Sequence, residues 1–208
     1  MGGALNAFPF ESFIDELAHA AGADPLDYRL SLLEVGSNEH ALLEEVRDMA
    51  GYKPGTYDAE GETKAMGVAL HESFGSLVAQ IAEVSMRAGR PHVSRIWAAI
   101  DLGSVVNPEI VKAQVAGGAI YCLSAALHEE VLIEKGAATR ANFDTYPILT
   151  PREAPEIVVE VVTSDREMGG VGEPGTPPVA PALANAVFKL TGQRVRRLPM
   201  ARFDFRDT

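Results

Sequence analysis

Residues 64–100, KAMGVALHESFGSLVAQIAEVSMRAGRPHVSRIWAAI, decide the fold class. Lys64–Glu72 alternates through Met66, Val68 and Leu70, which is the period of a strand with one face inward. Leu77–Met86 is a second strand with a less clean period, and Val93–Ile100 a third. Gly89-Arg90-Pro91 turns the chain between the last two, so these two form a hairpin.

Working back from this block, residues 52–62 (YKPGTYDAEGE) are polar and rich in Gly and Pro. They read as a loop and as the boundary between a helical segment, 1–51, and an α/β segment, 52–208, the two together forming one structural unit. In the first segment, residues 11–22 carry Phe13, Ile14, Leu17, Ala18 and Ala21 on one helical face, with Gly22 as the stop. Asp24 then reads as an N-cap with Pro25 at the first helical position, opening a helix through Leu26, Leu30 and Leu33. Asn38 opens a third helix with Ala41, Leu42, Val46 and Met49 inward, ending at Gly51. Asp15, Glu16, Glu44, Glu45 and Asp48 are expected on the wet face of this layer.

Working forward, Asn107-Pro108 is another cap-and-proline start, and an apolar helix follows to about His128. It holds Gln114 and, one turn later, Gly117-Gly118. Each mid-helix glycine costs about 1 kcal/mol relative to alanine, so a close neighbour is expected there, either a backbone or a ligand. Helix packing with Gln114 as a core-edge amide is the simpler of the two. Glu130–Lys135 reads as a short strand and Ile157–Val162 as a buried one. Gly169-Gly170-Val171-Gly172-Glu173-Pro174-Gly175 reads as a tight loop presenting Glu173 at or near the N-terminus of the helix Val179–Leu190, which Gly192 stops. From chemistry alone, Glu173 is equally well a surface carboxylate favouring a helix dipole. Helices first, then strands interleaved with two helices, make an α+β arrangement of layered helices and a mixed sheet.

Composition narrows the function. The 208 residues are 47% hydrophobic and 23% charged, with a net charge of -11. That excess of acid argues against nucleic acid, which needs clustered Lys and Arg; the short cluster Arg194, Arg196, Arg197 reads as a solvated edge or an interface. The lone Cys122 excludes disulfides and Cys-ligated clusters within the chain and reads as a small buried residue. The five histidines have no zinc-ligand spacing. No apolar run reaches ~18 residues without a charge, so no transmembrane helix is expected. The N-terminus has neither a basic nor an apolar leader region and enters ordered-looking sequence at once, as a fragment cut from a longer chain does.

Four segments carry a resemblance. GGVGEPGTPPVAPALANAVFKLTGQRVRRLP (169–199), ESFIDELAHAAGADPLDYRLSLL (11–33), AIDLGSVVNPEIVKAQVAGGAIYCLSAALHEE (99–130) and NFDTYPIL (142–149) resemble, in order, the C-terminal part of the molybdenum-binding large subunit of the xanthine dehydrogenase/aldehyde oxidase family. The branch most similar is the isoquinoline 1-oxidoreductase beta subunit. The resemblance implies hydroxylation of an aldehyde or N-heterocycle with oxygen from water. It makes Glu173 the general base on the molybdenum-bound oxygen and places Gln114, Gly117, Gly118, Gly170, Val171 and Gly172 towards the pterin, with Gly2 and Gly3 near the metal centre. A pocket made dry by Val171 and Val179 would raise the pKa of Glu173. The cofactor implied is molybdopterin, as the mononucleotide or the cytosine dinucleotide. The metal is held by the pterin dithiolene, with no protein ligand.

The partners implied are the N-terminal remainder of the large subunit and a small [2Fe-2S] iron–sulfur subunit. Compartment stays open between cytoplasm and periplasm. Because the family pocket is built from both halves of the subunit, the 208 residues alone are expected to hold no cofactor, to turn nothing over, and to self-associate through apolar surface. A non-catalytic domain that keeps the fold for subunit assembly is the alternative.

Overall fold

A computed structural model describes residues 2–205; Met1, the expected fragment boundary, and the last three residues of segment 52–208 lie outside it. The three strands read from residues 64–100 form the middle of a five-stranded sheet. Its members are β1 (Thr56–Ala59), β2 (Glu62–Ser73), β3 (Ser76–Arg87), β4 (Arg90–Asp101) and β7 (Glu156–Val162) in the order β1-β2-β3-β4-β7. All pairs are antiparallel except β4 with β7, which is parallel. The fold is α+β with a mixed sheet, as expected.

Each antiparallel link is two residues long with both φ values positive: Glu60-Gly61, Phe74-Gly75 and Ala88-Gly89. These are the turns whose twist matches that of the strands, and a glycine second makes them easy to form. The turn before β4 is therefore Ala88-Gly89, with Arg90 and Pro91 already in the strand. The small sheet of β5 (Ile133–Glu134) and β6 (Ala137–Ala138) uses the same device at Lys135-Gly136. β1 lies inside the expected 52–62 loop: its polar residues suit an edge strand, which needs little apolar surface.

Helices cover both faces of the sheet, which explains the blurred period of β3: it is buried on both sides almost throughout. On one face α2 (Pro25–Ser31) and α3 (Asn38–Ala50) place Leu26, Leu42, Leu43 and Val46 on Met66, Val68, Leu77, Ile81 and Trp97. On the other, α4 (Pro108–Leu127) and α5 (Val179–Thr191) pack on Ala69, Ala82, Ile96, Val78, Ala98 and Ile100. β7 is half-exposed rather than buried, since it is the last strand of the sheet and has only one paired edge. By length and composition α4 could cross a membrane. Its Val111, Val115, Ala119 and Leu123 stripe is instead buried in the protein core.

The local signals hold where the ends are capped. Asp24 accepts from the N–H groups of Leu26 and Asp27, Asn107 from those of Glu109 and Ile110, and Gly51 and Gly192 close α3 and α5 in the left-handed conformation. Three readings are corrected. α1 runs from Gly2 to Ala20 with Pro9 inside it, not from residue 11. Its buried side is Ala7, Glu11, Asp15 and Ala18, while Phe13, 56% exposed, and Leu17 face outward. Asp15 is accordingly not on a wet face. Two arginines cause the inversion, Arg29 pairing with Glu11 and Arg194 with Asp15, and paired carboxylates can be buried.

Candidate active-site loop

Residues 169–178 cross the end of the sheet between α4 and the start of α5 and are tied down from several sides. Gly169 N–H donates to Leu102 O at 2.9 Å and Gly170 N–H to Phe74 O at 2.8 Å. Ser76 Oγ donates to Gly170 O at 2.7 Å, Gln114 Nε2 to Gly172 O at 2.7 Å, and Gln80 Nε2 to Gly175 O at 2.9 Å. Between the last two carbonyls stands Glu173, whose own carbonyl accepts from the N–H and the Oγ1 of Thr176, both at 2.9 Å.

Glycine is required where the loop meets its supports. A Cβ on Gly169 would lie 2.3 Å from Ser76 Oγ, and one on Gly175 2.8 Å from Val115 O, so no other residue fits without moving backbone. Gly118 explains half of the α4 glycine pair: its position faces Gly175 and Thr176 at 3.3–3.7 Å. Gly117 faces open space, which leaves that side of the helix accessible to a ligand.

The structure thus brings Gln114, Gly118, Gly170, Val171, Gly172 and Glu173 together. Gln114, Gly117, Gly172 and Glu173 are exposed, whereas Val171 is half-buried against the core. Glu173 is not at a helix N-terminus: α5 begins six residues later, capped by Pro178 without a side-chain bond. Nor do the described residues close a dry pocket over it, for Val179 is turned into the core. Gly2 and Gly3 lie in the first turn of α1. Gly3 reaches this region through Pro177, 3.5 Å from where its Cβ would be, while Gly2 has nothing within 4 Å. Ser76 and Gln80 were not singled out by sequence. The one available signal for Gln80 is a lone amide within the apolar run LVAQIA.

Elsewhere the electrostatics are structural. Arg194 pairs with Asp15 and lies 3.4 Å over the Phe188 ring, and Arg196 grips Glu16 with two N–H groups. Arg194 and Arg196 of the basic cluster are therefore internal ties. Cys122 is half-buried, and its surroundings push the thiol up to about 11, chiefly through desolvation. Among the described residues no group of three His, Cys, Asp or Glu is placed to hold a metal. A groove of about 1320 Å³ opens along α1 and α2, lined by Phe8, Phe10, Phe13, Ile14, Leu32 and Leu33. At its edge burial holds the His71 imidazole below its usual range, against the opposing charges of Glu11 and Glu72.

Comparison with known proteins bears on the chain as a whole. Residues 14–155 match the molybdopterin cofactor-binding domain. The chain is 40% identical over 195 residues to the beta chain of isoquinoline 1-oxidoreductase from Brevundimonas diminuta, covering 93% of this chain and 25% of that one. It is 37% identical over 213 residues to one of the subunits of nicotinate dehydrogenase from Pseudomonas putida, covering 94% of this chain and 18% of the relative. Among solved structures it superposes on the aldehyde oxidoreductase of Desulfovibrio desulfuricans with a TM-score of 0.53 and 26% identity, over 62% of this chain and 15% of that one. The chain therefore spans about a quarter or less of these relatives.

Proposed function

Because the chain belongs to the molybdopterin cofactor-binding domain family, we propose that it is the C-terminal part of a molybdenum hydroxylase that oxidises an aldehyde or an N-heterocycle, with Glu173 as its general base. The observation that carries this reading is the bond from Gln114 to Gly172 O, which fixes the open side of α4 to the residue before Glu173. The residues suit such a cofactor. A pterin brings its own sulfur ligands and needs amides, backbone groups and room. Gln114, Gly172 and the empty space beside Gly117 provide these on one side.

When bound, the molybdenum cofactor supplies the two-electron oxidation and the activation of water. The chain's contribution is placement of a proton acceptor. A Glu173 carboxylate oxygen would accept the proton given up at the activated oxygen, which requires hydrogen-bond reach and a fixed loop. Gln114, Gly117, Gly118, Gly170, Val171 and Gly172 form the wall on the cofactor side, and Gly3 approaches it through Pro177, with Gly2 beside it at the start of α1. The remaining wall comes from the N-terminal remainder of the large subunit, which also makes the pocket over Glu173 dry, and electrons leave through a [2Fe-2S] partner subunit. The 208 residues alone hold no cofactor.

In the complete enzyme Glu173→Gln is expected to cut turnover by about 10²- to 10⁴-fold while molybdenum content stays unchanged. Near-normal turnover would remove Glu173 from the role. Elemental analysis of the purified 208-residue chain is expected to find no stoichiometric molybdenum.

A further inference from the structure

We infer that Gln80 is the positioning residue for the Glu173 loop, setting the height and direction of the base from the sheet beneath the loop. This rests on the assignment of Glu173 as base and adds to it the element that holds the base in place.

Gln80 lies in the middle of β3 and is fully buried. Its partners in register are Ala69 on β2 and Ala98 on β4. Two small residues flank the amide on its own face, so nothing large shields it from the layer above. That face carries Ala82 and Val84 under α4 and α5 on one side of it and Val78 on the other. Gln80 stands between these apolar clusters, where the 169–178 loop passes over the sheet, and gives its Nε2–H to Gly175 O at 2.9 Å.

The other end of the amide marks it as more than a core residue. Gln80 Oε1 is buried and has no hydrogen-bond partner among the described residues. An unpartnered buried acceptor is a standing cost to stability, and an apolar side chain of similar reach would avoid it. The cost is tolerable if the donor end does something that an apolar side chain cannot. What it does here is fix the carbonyl two residues after Glu173, while Gln114 fixes the carbonyl one residue before it. Val115 O prevents Gly175 from shifting sideways by its close approach. With both flanks held, Glu173 has little freedom to move its backbone.

The test compares Gln80→Met, which keeps the reach and loses the donor, with the unaltered chain. In the 208-residue protein, amide hydrogen exchange is expected to quicken about tenfold at Thr176 N–H, which reports the turn closed on Glu173 O, while the amides of β2, β3 and β4 exchange as before and the thermal midpoint changes little, since Gly175 O loses its donor as the unpartnered Oε1 is removed. Gln80→Glu is expected to restore protection at acidic pH, where its buried neutral carboxyl donates an O–H to Gly175 O, and to lose it as the carboxyl ionises. In the molybdenum-loaded enzyme Gln80→Met is expected to lower kcat by about 100-fold with KM and molybdenum content unchanged, the effect of displacing a reacting group by about 1 Å.

Unchanged exchange at Thr176 would overturn the inference. So would acceleration spread evenly over the sheet, or full turnover by Gln80→Met. Full turnover by Glu173→Gln would instead remove the base and leave the exchange result standing.

Discussion

Arg29 shows how much one side chain decides. It sends Nε to Glu11 Oε2 at 3.0 Å, one terminal N–H to Glu11 O at 2.7 Å and another to Pro25 O at 2.9 Å. Glu11 Oε2 also accepts from Leu70 N–H, so the carboxylate ties α1 to β2 as well as to α2. Removing the cation leaves a buried charge without its partner. Arg29→Leu is therefore expected to lower stability by about 3–5 kcal/mol, and the double variant with Glu11→Leu to regain part of that; urea unfolding of the two measures both. This pair was not legible in the sequence. Phe13, Ile14 and Leu17 outnumber Glu11 and Asp15 in any count of apolar residues. The partners that reverse the face, Arg29 and Arg194, lie 18 and 179 residues away. The tight loop around Glu173 was legible, because glycines and prolines around a carboxylate describe a local conformation, although its place six residues before α5 was not. Gln80 was not: nothing near it in the chain says that a loop 95 residues later needs its amide.

At the scale of elements, cap and turn residues gave correct starts and stops, because their bonds close within four residues. Asp24-Pro25, Asn107-Pro108 and Gly192 needed no knowledge of the fold. Packing distances did need it. α5 lies so close on β2 that a Cβ at Gly67 would be 2.0 Å from Ala182 O and 2.4 Å from Ala186 N. Gly67→Ala forces two backbones apart and is expected to cost about 3 kcal/mol or more, read as a fall in the denaturant midpoint. A second link joins α5 to α2: Lys189 Nζ donates to Tyr52 OH at 2.7 Å, and Tyr52 OH donates to Asp24 Oδ2 at 2.9 Å. Burial, then the Asp24 charge, raises the Tyr52 phenol above its usual 10. A raised pKa in the folded state means stability that is complete below pH 10 and is lost as pH rises beyond it. Burial lowers the Lys189 pKa, which acts in the opposite sense, adding stability as pH rises towards 10.5. Tyr52→Phe is expected to be less stable at pH 7 by about 1 kcal/mol. The gap between it and the parent should narrow above pH 10 in stability measurements across alkaline pH.

Over the whole molecule, the apolar surface of α1 and α2 is the most conspicuous feature left uncovered. Phe10 is 63% exposed, Phe13 56% and Leu32 59%, and all three line the groove. A contiguous patch of this kind marks an interface. We expect the 208-residue chain to self-associate through it, and Phe10→Ser with Phe13→Ser to return a monomer in sedimentation velocity; a parent chain that stays monomeric at high concentration would count against this. Sequence made the layered fold and the hairpin of β3 with β4 legible. It left the direction of α1's apolar face unreadable, because that direction is set by contacts between distant parts of the chain. The same remoteness governs when the site comes into being. The ties of the Glu173 loop join residues 58, 94 and 95 positions apart, so no short stretch leaving the ribosome can assemble them. Closing spans of this length is slow compared with forming α4 or a two-residue hairpin. The loop should therefore come to resist protease later than the hairpins of β2, β3 and β4 during refolding. A brief proteolytic pulse would cut at residues 169–175 after β2, β3 and β4 have become protected, which makes this stretch a clock for the closing of long-range ties.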